Sequence, residues 1–359
     1  MISKKDIIEF LKEIEVEDLV KNVQLMGDTA IIDMLSHSPA MHEKKRMEVA
    51  MHAAFEDKFG KDLKLKLNIS VEVPEKQEIK GKNIPGIKNI IAIASGKGGV
   101  GKSTVASNLA ISLKKLGFKV GLLDADIYGP SIPVMFDVEN AKPTSKDHKM
   151  VPIESYGIQL LSLGFFSGAN QAVVWRGAMA SKAIHQLIHD ADWGELDFLL
   201  IDLPPGTGDI HLSIVQEVPV TGSVIVSTPQ HVALADVKKG VAMFQMPEIN
   251  VPVLGIIENM AYFVPKELPE NKYYIFGKKG AQKLAESLDL PLLGEIPIIQ
   301  SIREASDYGR PAALQEDELI PNIYIEIAKK MIESLVLRNK NLPPTEAVRI
   351  TTMAGCSSK

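Results

Sequence analysis

Residues 96–104 read Gly96-Lys97-Gly98-Gly99-Val100-Gly101-Lys102-Ser103-Thr104. A glycine-rich loop ending in Lys-Ser or Lys-Thr can close backbone N–H groups around phosphate oxygens. It also puts an ammonium on the β- and γ-phosphates and a hydroxyl on Mg²⁺. Lys102 and Ser103 hold those positions here, and Lys97 is a second lysine just after the first glycine. A glycine-rich turn with incidental lysines would show the same letters. The flanking sequence argues for the phosphate loop. The apolar run Ile90–Ala94 precedes it as a buried strand, and Val105–Leu113 follows with a helical pattern. That context turns the motif into a phosphate cradle, because the helix N-terminus adds partial positive charge.

Acidic residues complete the set. In open α/β sheets ligands bind beyond the carboxyl ends of the strands. Asp124 and Asp126 follow the apolar run Val120–Leu123, and Asp202 follows Phe198–Ile201. Phosphoryl transfer needs a strand-end carboxylate for Mg²⁺ and a group that orients the attacking water. Asp202 fits the first role with Asp124 near the metal, and Asp126 fits the second. Asp also terminates strands as a simple turn residue, but two such sets in register with a phosphate loop favour chemistry.

The elements that must position these groups are legible as alternating short apolar runs and helical patterns. Ser223–Val226 and Val253–Ile257 add further runs of the kind found in strands buried on both faces. The implied fold is α/β, a doubly wound, mostly parallel sheet preceded by a small α+β domain. Residues 1–72 form that domain. Ile7, Phe10, Leu11 and Ile14 recur at helical spacing, two strands turn at Gly27-Asp28, Met41–Phe59 is a helix, and Leu63–Ile69 alternates as a strand. Residues 73–89 read as a linker, 90–338 as the phosphate-loop domain with a last helix over Leu319–Arg338, and 339–359 as a flexible tail.

The chain has 359 residues and a net charge of −5, so no global basic field draws in nucleic acid. The uncharged stretch Ser155–Trp175 is too broken by polar residues and glycines for a membrane span. A single cysteine, Cys356, suits a reducing, cytoplasmic setting.

Four segments together resemble the Mrp/ApbC group of P-loop ATPases, relatives of the MinD, ParA and nitrogenase iron-protein class. They are Gly96–Thr104 with Lys97, Asp124–Pro133, Asp202-Leu203-Pro204-Pro205-Gly206-Thr207-Gly208-Asp209, and Ile257-Glu258-Asn259-Met260. Residues 1–72 resemble, less closely, the small iron–sulfur assembly domain that many members carry. The resemblance implies a slow, Mg²⁺-dependent ATPase that works as a nucleotide-dependent homodimer and delivers iron–sulfur clusters to apoproteins. It further implies that Lys97 acts across the dimer, that Asp126 and Asp202 sit in two switch segments, and that Asn259 bonds the adenine edge. Lys97 read alone could equally be a solvated loop lysine, and Asn259 a turn former.

The sequence departs from that family at its cysteines. Cluster-carrying members have a Cys-x-x-Cys pair after the Asn-Met strand end, whereas here Tyr262–Tyr274 contains no cysteine. The front domain's usual cysteine is also missing, its turn reading His37-Ser38-Pro39-Ala40-Met41. Cluster irons are held mainly by thiolates. If a cluster binds, Cys356 supplies two of them per dimer, and His or carboxylate must complete the set. Otherwise Cys356 is an incidental terminal cysteine, and the chain is an ATP-controlled dimeric switch that positions a protein partner.

Overall fold

The computed structural model describes residues 3–14, 16–36, 41–60, 63–71, 84–127, 129–166, 177–247, 249–265, 267–268, 270–316, 318–343 and 345. The chain divides into two compact units, Met1–Glu75 and Lys76–Lys359.

The first unit contains α1 (Lys4–Glu13), β1 (Val20–Met26), β2 (Thr29–Ser36), α2 (Met41–Phe59) and β3 (Lys64–Val71). Helix α1 starts at a reciprocal cap. The Ser3 hydroxyl accepts from the Asp6 N–H, and the Asp6 carboxylate accepts from the Ser3 N–H at 2.7 Å. β1 and β2 pair antiparallel across the expected turn, and β3 adds to β2 in parallel. Alternation along β2 buries Ala30, Ile32 and Met34 against Ile7, Phe10 and Phe55. The turn His37–Ala40 lies outside the described residues.

The second unit opens with β4 (Ile87–Ser95), α3 (Lys102–Lys115), β5 (Val120–Asp124) and the single turn α4 (Ile132–Met135). Short strands β6 (Thr144–Lys146), β7 (Lys149–Val151), β8 (Ile153–Ser155) and β9 (Ile158–Ser162) follow. The chain continues through α5 (Gly177–His189), β10 (Leu196–Asp202), α6 (Asp209–Glu217), β11 (Gly222–Ser227) and α7 (His231–Gln245). It ends with β12 (Val253–Phe263), α8 (Gly280–Ser287), β13 (Leu292–Ile298), α9 (Gln300–Asp307) and α10 (Leu319–Asn341).

Eight strands form one sheet in the order β13-β12-β11-β4-β10-β5-β9-β8, parallel except for the edge pair β8–β9. From β4 the chain runs out to β5 and β9, returns to β10 beside β4, and crosses to β11, β12 and β13 on the other side. That reversal opens a crevice at the carboxyl ends of the central strands. One face is packed by α3 and α10, through residues such as Val105, Leu109, Met331 and Leu335. The other is packed by α5, α7 and α8, through Ile184, Val237, Phe244 and Leu284.

Three local readings change. β4 opens at Ile87, inside the stretch read as linker, because its polar residues are paired: Lys88 Nζ lies 2.7 Å from Asp197, and Asn89 donates to the Asp197 carbonyl at 3.0 Å. Helix α10 runs three residues past Arg338, whose guanidinium donates to the Pro343 carbonyl and the Thr345 hydroxyl, both at 2.7 Å. The uncharged stretch Ser155–Trp175, whose broken apolar pattern points to no element, contains strand β9 and the last residue of β8.

Candidate nucleotide site

The loop between β4 and α3 is shaped by two glycines with distinct jobs. Gly101 is the N-cap of α3 at φ 81°, in the left-handed region where a Cβ is strained and would also meet the Asn259 carboxamide. Gly96 lies against α7, where a Cβ would stand 2.5 Å from the Asp236 backbone. Helix α3 has no side-chain cap and no acid in its first turn, so its N-terminal partial charge is uncompensated from within. An open cleft of about 220 Å³ is lined by Lys97–Thr104, Asp126, Ser131 and Pro205.

Lys102 is only 6% exposed, and its Nζ lies 2.6 Å from Asp202 Oδ1 and 3.8 Å from Asp126 Oδ2. Ser103 Oγ donates to the other Asp202 oxygen at 2.6 Å. The parallel pairing of β10 with β4 sets Asp202 opposite Ile93, two residues before the loop begins after Ser95. Lys102, Ser103, Asp126 and Asp202 are therefore brought together as expected from the strand ends. Asp124 is fully buried beside them. Its Oδ1 accepts from the Asp126 N–H at 3.1 Å, and its Oδ2 accepts from the Ile132 N–H at 3.2 Å and the Ser162 hydroxyl at 3.0 Å. Burial lifts the Asp124 pKa to about 7, with the Asp202 charge adding to the rise. Burial also raises Asp202, against the pull of Lys102 and Ser103. Asp202 holds the cationic partner, so a proton shared by the two acids rests on Asp124.

Lys97 and Asn259 both make hydrogen bonds within the chain. Lys97 Nζ donates to Gln230 Oε1 of its own chain at 3.2 Å. Asn259 does not follow its strand but lies within β12, where its side chain donates to the Val100 carbonyl at 2.8 Å and so props the loop from beneath. Cys356 lies outside the described residues, as does Tyr128. Among the described residues no group of three His, Cys, Asp or Glu side chains has the arrangement of a metal centre. No helix among them is long and apolar enough to cross a membrane.

The sequence profile of the NUBPL iron-transfer P-loop NTPases matches residues 86–332. The chain belongs to that family. The iron-sulfur cluster carrier protein of Aquifex aeolicus is 40% identical over 92% of this chain and 99% of its own length. That of Escherichia coli is 48% identical over 72% of this chain and 70% of its own. Among solved structures, the nucleotide-binding protein from Archaeoglobus fulgidus in complex with ADP is 40% identical, with a TM-score of 0.58 over 67% of this chain and 95% of that one. As a P-loop NTPase the chain has the equipment for ATP hydrolysis that its motifs describe.

Residues that the sequence did not single out also shape the site of this family member. Gln230 and Ser162 hold Lys97 and Asp124, and no spacing rule pointed to them. His211 belongs to none of the four motifs. It lies on α6, is 2% exposed, and neither ring nitrogen meets a hydrogen-bond partner among the described residues. Burial pushes its pKa down to about 4, with the Lys102 charge adding to the fall and the nearby Gly208 and Pro204 carbonyls opposing it.

Two outcomes are expected. Lys102→Ala removes a charge-assisted contact, so ATP affinity should fall about 10- to 100-fold in a direct binding titration; unchanged affinity would displace the phosphate site from this loop. The second concerns His211, whose pKa is about 4 in the fold against an ordinary value of 6.5. The unfolded chain binds an extra proton between those values, so stability falls as pH drops through that window. Between about pH 7 and pH 5 this should cost about 2 kcal/mol. Urea titrations should show His211→Gln losing correspondingly less than the wild type over the same interval, and an equal loss would clear His211 as the source.

Proposed function

We propose that this protein is a slow, Mg²⁺-dependent, cytoplasmic ATPase that works as a nucleotide-dependent homodimer and carries iron–sulfur clusters to apoproteins. The observation that carries the reading is a complete phosphate-loop and carboxylate set on a chain matched over nearly its whole length by an iron-sulfur cluster carrier protein. Neither nucleic acid nor a membrane belongs to the cycle.

The loop Gly96–Thr104 cradles the ATP phosphates with its backbone N–H groups and the α3 N-terminus. Lys102 transfers its charge from Asp202 to the β- and γ-phosphates. The donor set left behind consists of the Ser103 hydroxyl and the Asp202 carboxylate, with Asp124 underneath; hard oxygen donors of this kind suit Mg²⁺. A Mg²⁺ ion held by these residues would supply positive charge against the negative charge that builds on the phosphates. Asp126, at the mouth of the cleft, orients the attacking water. Asn259 reaches the adenine edge by exchanging its bond to Val100.

Lys97 serves as the group acting in trans. Among the described residues its ammonium is tethered only by a neutral carboxamide, Gln230, which holds it less tightly than a carboxylate would. The cluster is cargo. Cys356 is the only thiolate source in the chain, so two protomers contribute two sulfurs, and non-thiolate ligands complete the irons.

Lys97→Ala should leave ATP binding intact and lower turnover at least about tenfold, because a charge placed at the transition state acts on rate more than on affinity. Sedimentation with a non-hydrolysable ATP analogue should show a dimer. A monomer at every concentration, with Lys97→Ala fully active, would remove the trans role. After anaerobic reconstitution, Cys356→Ser should lose the visible absorbance and the bound iron and sulfide while keeping ATP hydrolysis. A wild type that never binds iron and sulfide would end the carrier reading.

A further inference from the structure

A cavity larger than the nucleotide cleft lies elsewhere in the second unit. It is a groove of about 500 Å³ between α7 and α8, lined among others by Pro229, Lys238, Phe276, Lys278, Lys283 and Leu284. Its floor is apolar, with Leu234 and Leu284 buried and Phe276 half-buried. Lys238, Lys278 and Lys283 are exposed at its walls, and none has an acidic partner among the described residues. Lys278 lies 4.9 Å from the Tyr274 ring centroid, and the neighbouring Lys239 is the one paired with Asp236.

The placement of these cations runs against local helix electrostatics. Lys278 and Lys279 stand at the start of α8, and Lys283 is in its first turn, where the helix carries no acid. Helix α7 likewise begins with His231 and no acid in its first turn. Cations are disfavoured at helix N-termini, so the arrangement weakens its own helices and concentrates positive potential on the groove. The buried Glu258 offsets part of that terminus, accepting from the Ala281 and Gln282 N–H groups in the first turn of α8. Just outside, Tyr273, Tyr274 and Ile275 are exposed in succession and extend the apolar floor onto the surface.

We propose that the α7–α8 groove docks an acidic protein segment bearing apolar side chains, and the identification of that segment with a client apoprotein rests on the function proposed above. Charge complementarity decides the occupant. The chain as a whole is acidic, at −5, yet this groove is cationic, so the attraction is local and specific to it. A second copy related by a twofold axis would press the same lysines against one another. A nucleic acid would need a continuous cationic track rather than one pocket with an apolar floor on an acidic chain. An acidic segment with apolar side chains satisfies both the walls and the floor.

The test uses the full chain and a fluorescein-labelled peptide of repeated Glu-Glu-Leu, followed by fluorescence anisotropy. Wild-type protein should bind it, and rising salt should weaken the complex. Lys238→Glu combined with Lys283→Glu should weaken binding at least about tenfold, whereas Lys21→Glu combined with Lys66→Glu makes the same charge change in the first unit and should not. A repeated Glu-Glu-Ser peptide should bind more weakly than the Leu peptide. Lys278→Glu, in a loop, gives the same loss should the double variant misfold. No binding by the wild type, equal binding by the groove and control variants, or displacement by inorganic phosphate or oligothymidylate would overturn the proposal. So would a change of oligomeric state in the groove variant. ATP hydrolysis and iron binding, measured on the same groove variant, should stay at wild-type levels. A wild type that fails to bind iron but still binds the peptide would retire the carrier reading and leave the docking groove standing.

Discussion

A buried ammonium is held in place by two carboxylates, and the rest of the site is arranged around that fact. Lys102 is 6% exposed and within 3.8 Å of both Asp202 and Asp126. An unpaired charge at that depth would be strongly destabilising, so the ion pair is a condition of burying the lysine at all. It also couples the two ligands of the reaction. In the proposed cycle, a polyphosphate that took Lys102 would leave the Asp202 carboxylate exposed to the low-dielectric interior, and a divalent cation on Ser103 and Asp202 would restore the balance. Nucleotide without metal leaves a carboxylate uncompensated, and metal without nucleotide competes with a lysine already in place.

The ion pair joins residues one hundred positions apart, so it depends on strand register. Asp202 reaches Lys102 because β10 inserts between β4 and β5, with Asp202 level with Ile93 on one side and Asp124 on the other. A slip of one residue would turn Asp202 to the opposite face of the sheet. The near-continuous apolar runs of β4 and β10, buried on both faces, protect that register: Ile90, Ile91, Leu199 and Leu200 are each at most 3% exposed.

Those runs are why so much was legible in the sequence. Strand, phosphate loop and helix, and the carboxylates at two strand ends, follow from local patterns whose physics is local. What remained hidden was set by contacts between distant segments. Asn259 reads as a residue after a strand because β12 loses its apolar run at Glu258, yet Glu258 and Asn259 continue the strand by satisfying the α8 N-terminus and the Val100 carbonyl. Ser162 and Gln230 are ordinary polar residues in sequence, and only the fold brings them to Asp124 and Lys97. The short strands β6–β9 carry weak patterns, and β6 is exposed throughout while β7 and β8 bury none of their residues fully.

Helix α7 links the parts that sequence reading kept separate. Its Asp236 backbone meets the phosphate loop at Gly96, so closely that no side chain fits between them. Its N-cap, Gln230, accepts from Lys97, and its outer face walls the lysine-rich groove. Any displacement of Lys97 toward a phosphate therefore breaks a hydrogen bond to the N-cap of the helix that shapes the groove. With Gly96 allowing no slack, a shift of the loop is transmitted to α7 by contact rather than absorbed. The nucleotide loop and the groove thus share one helix, α7, as a common wall.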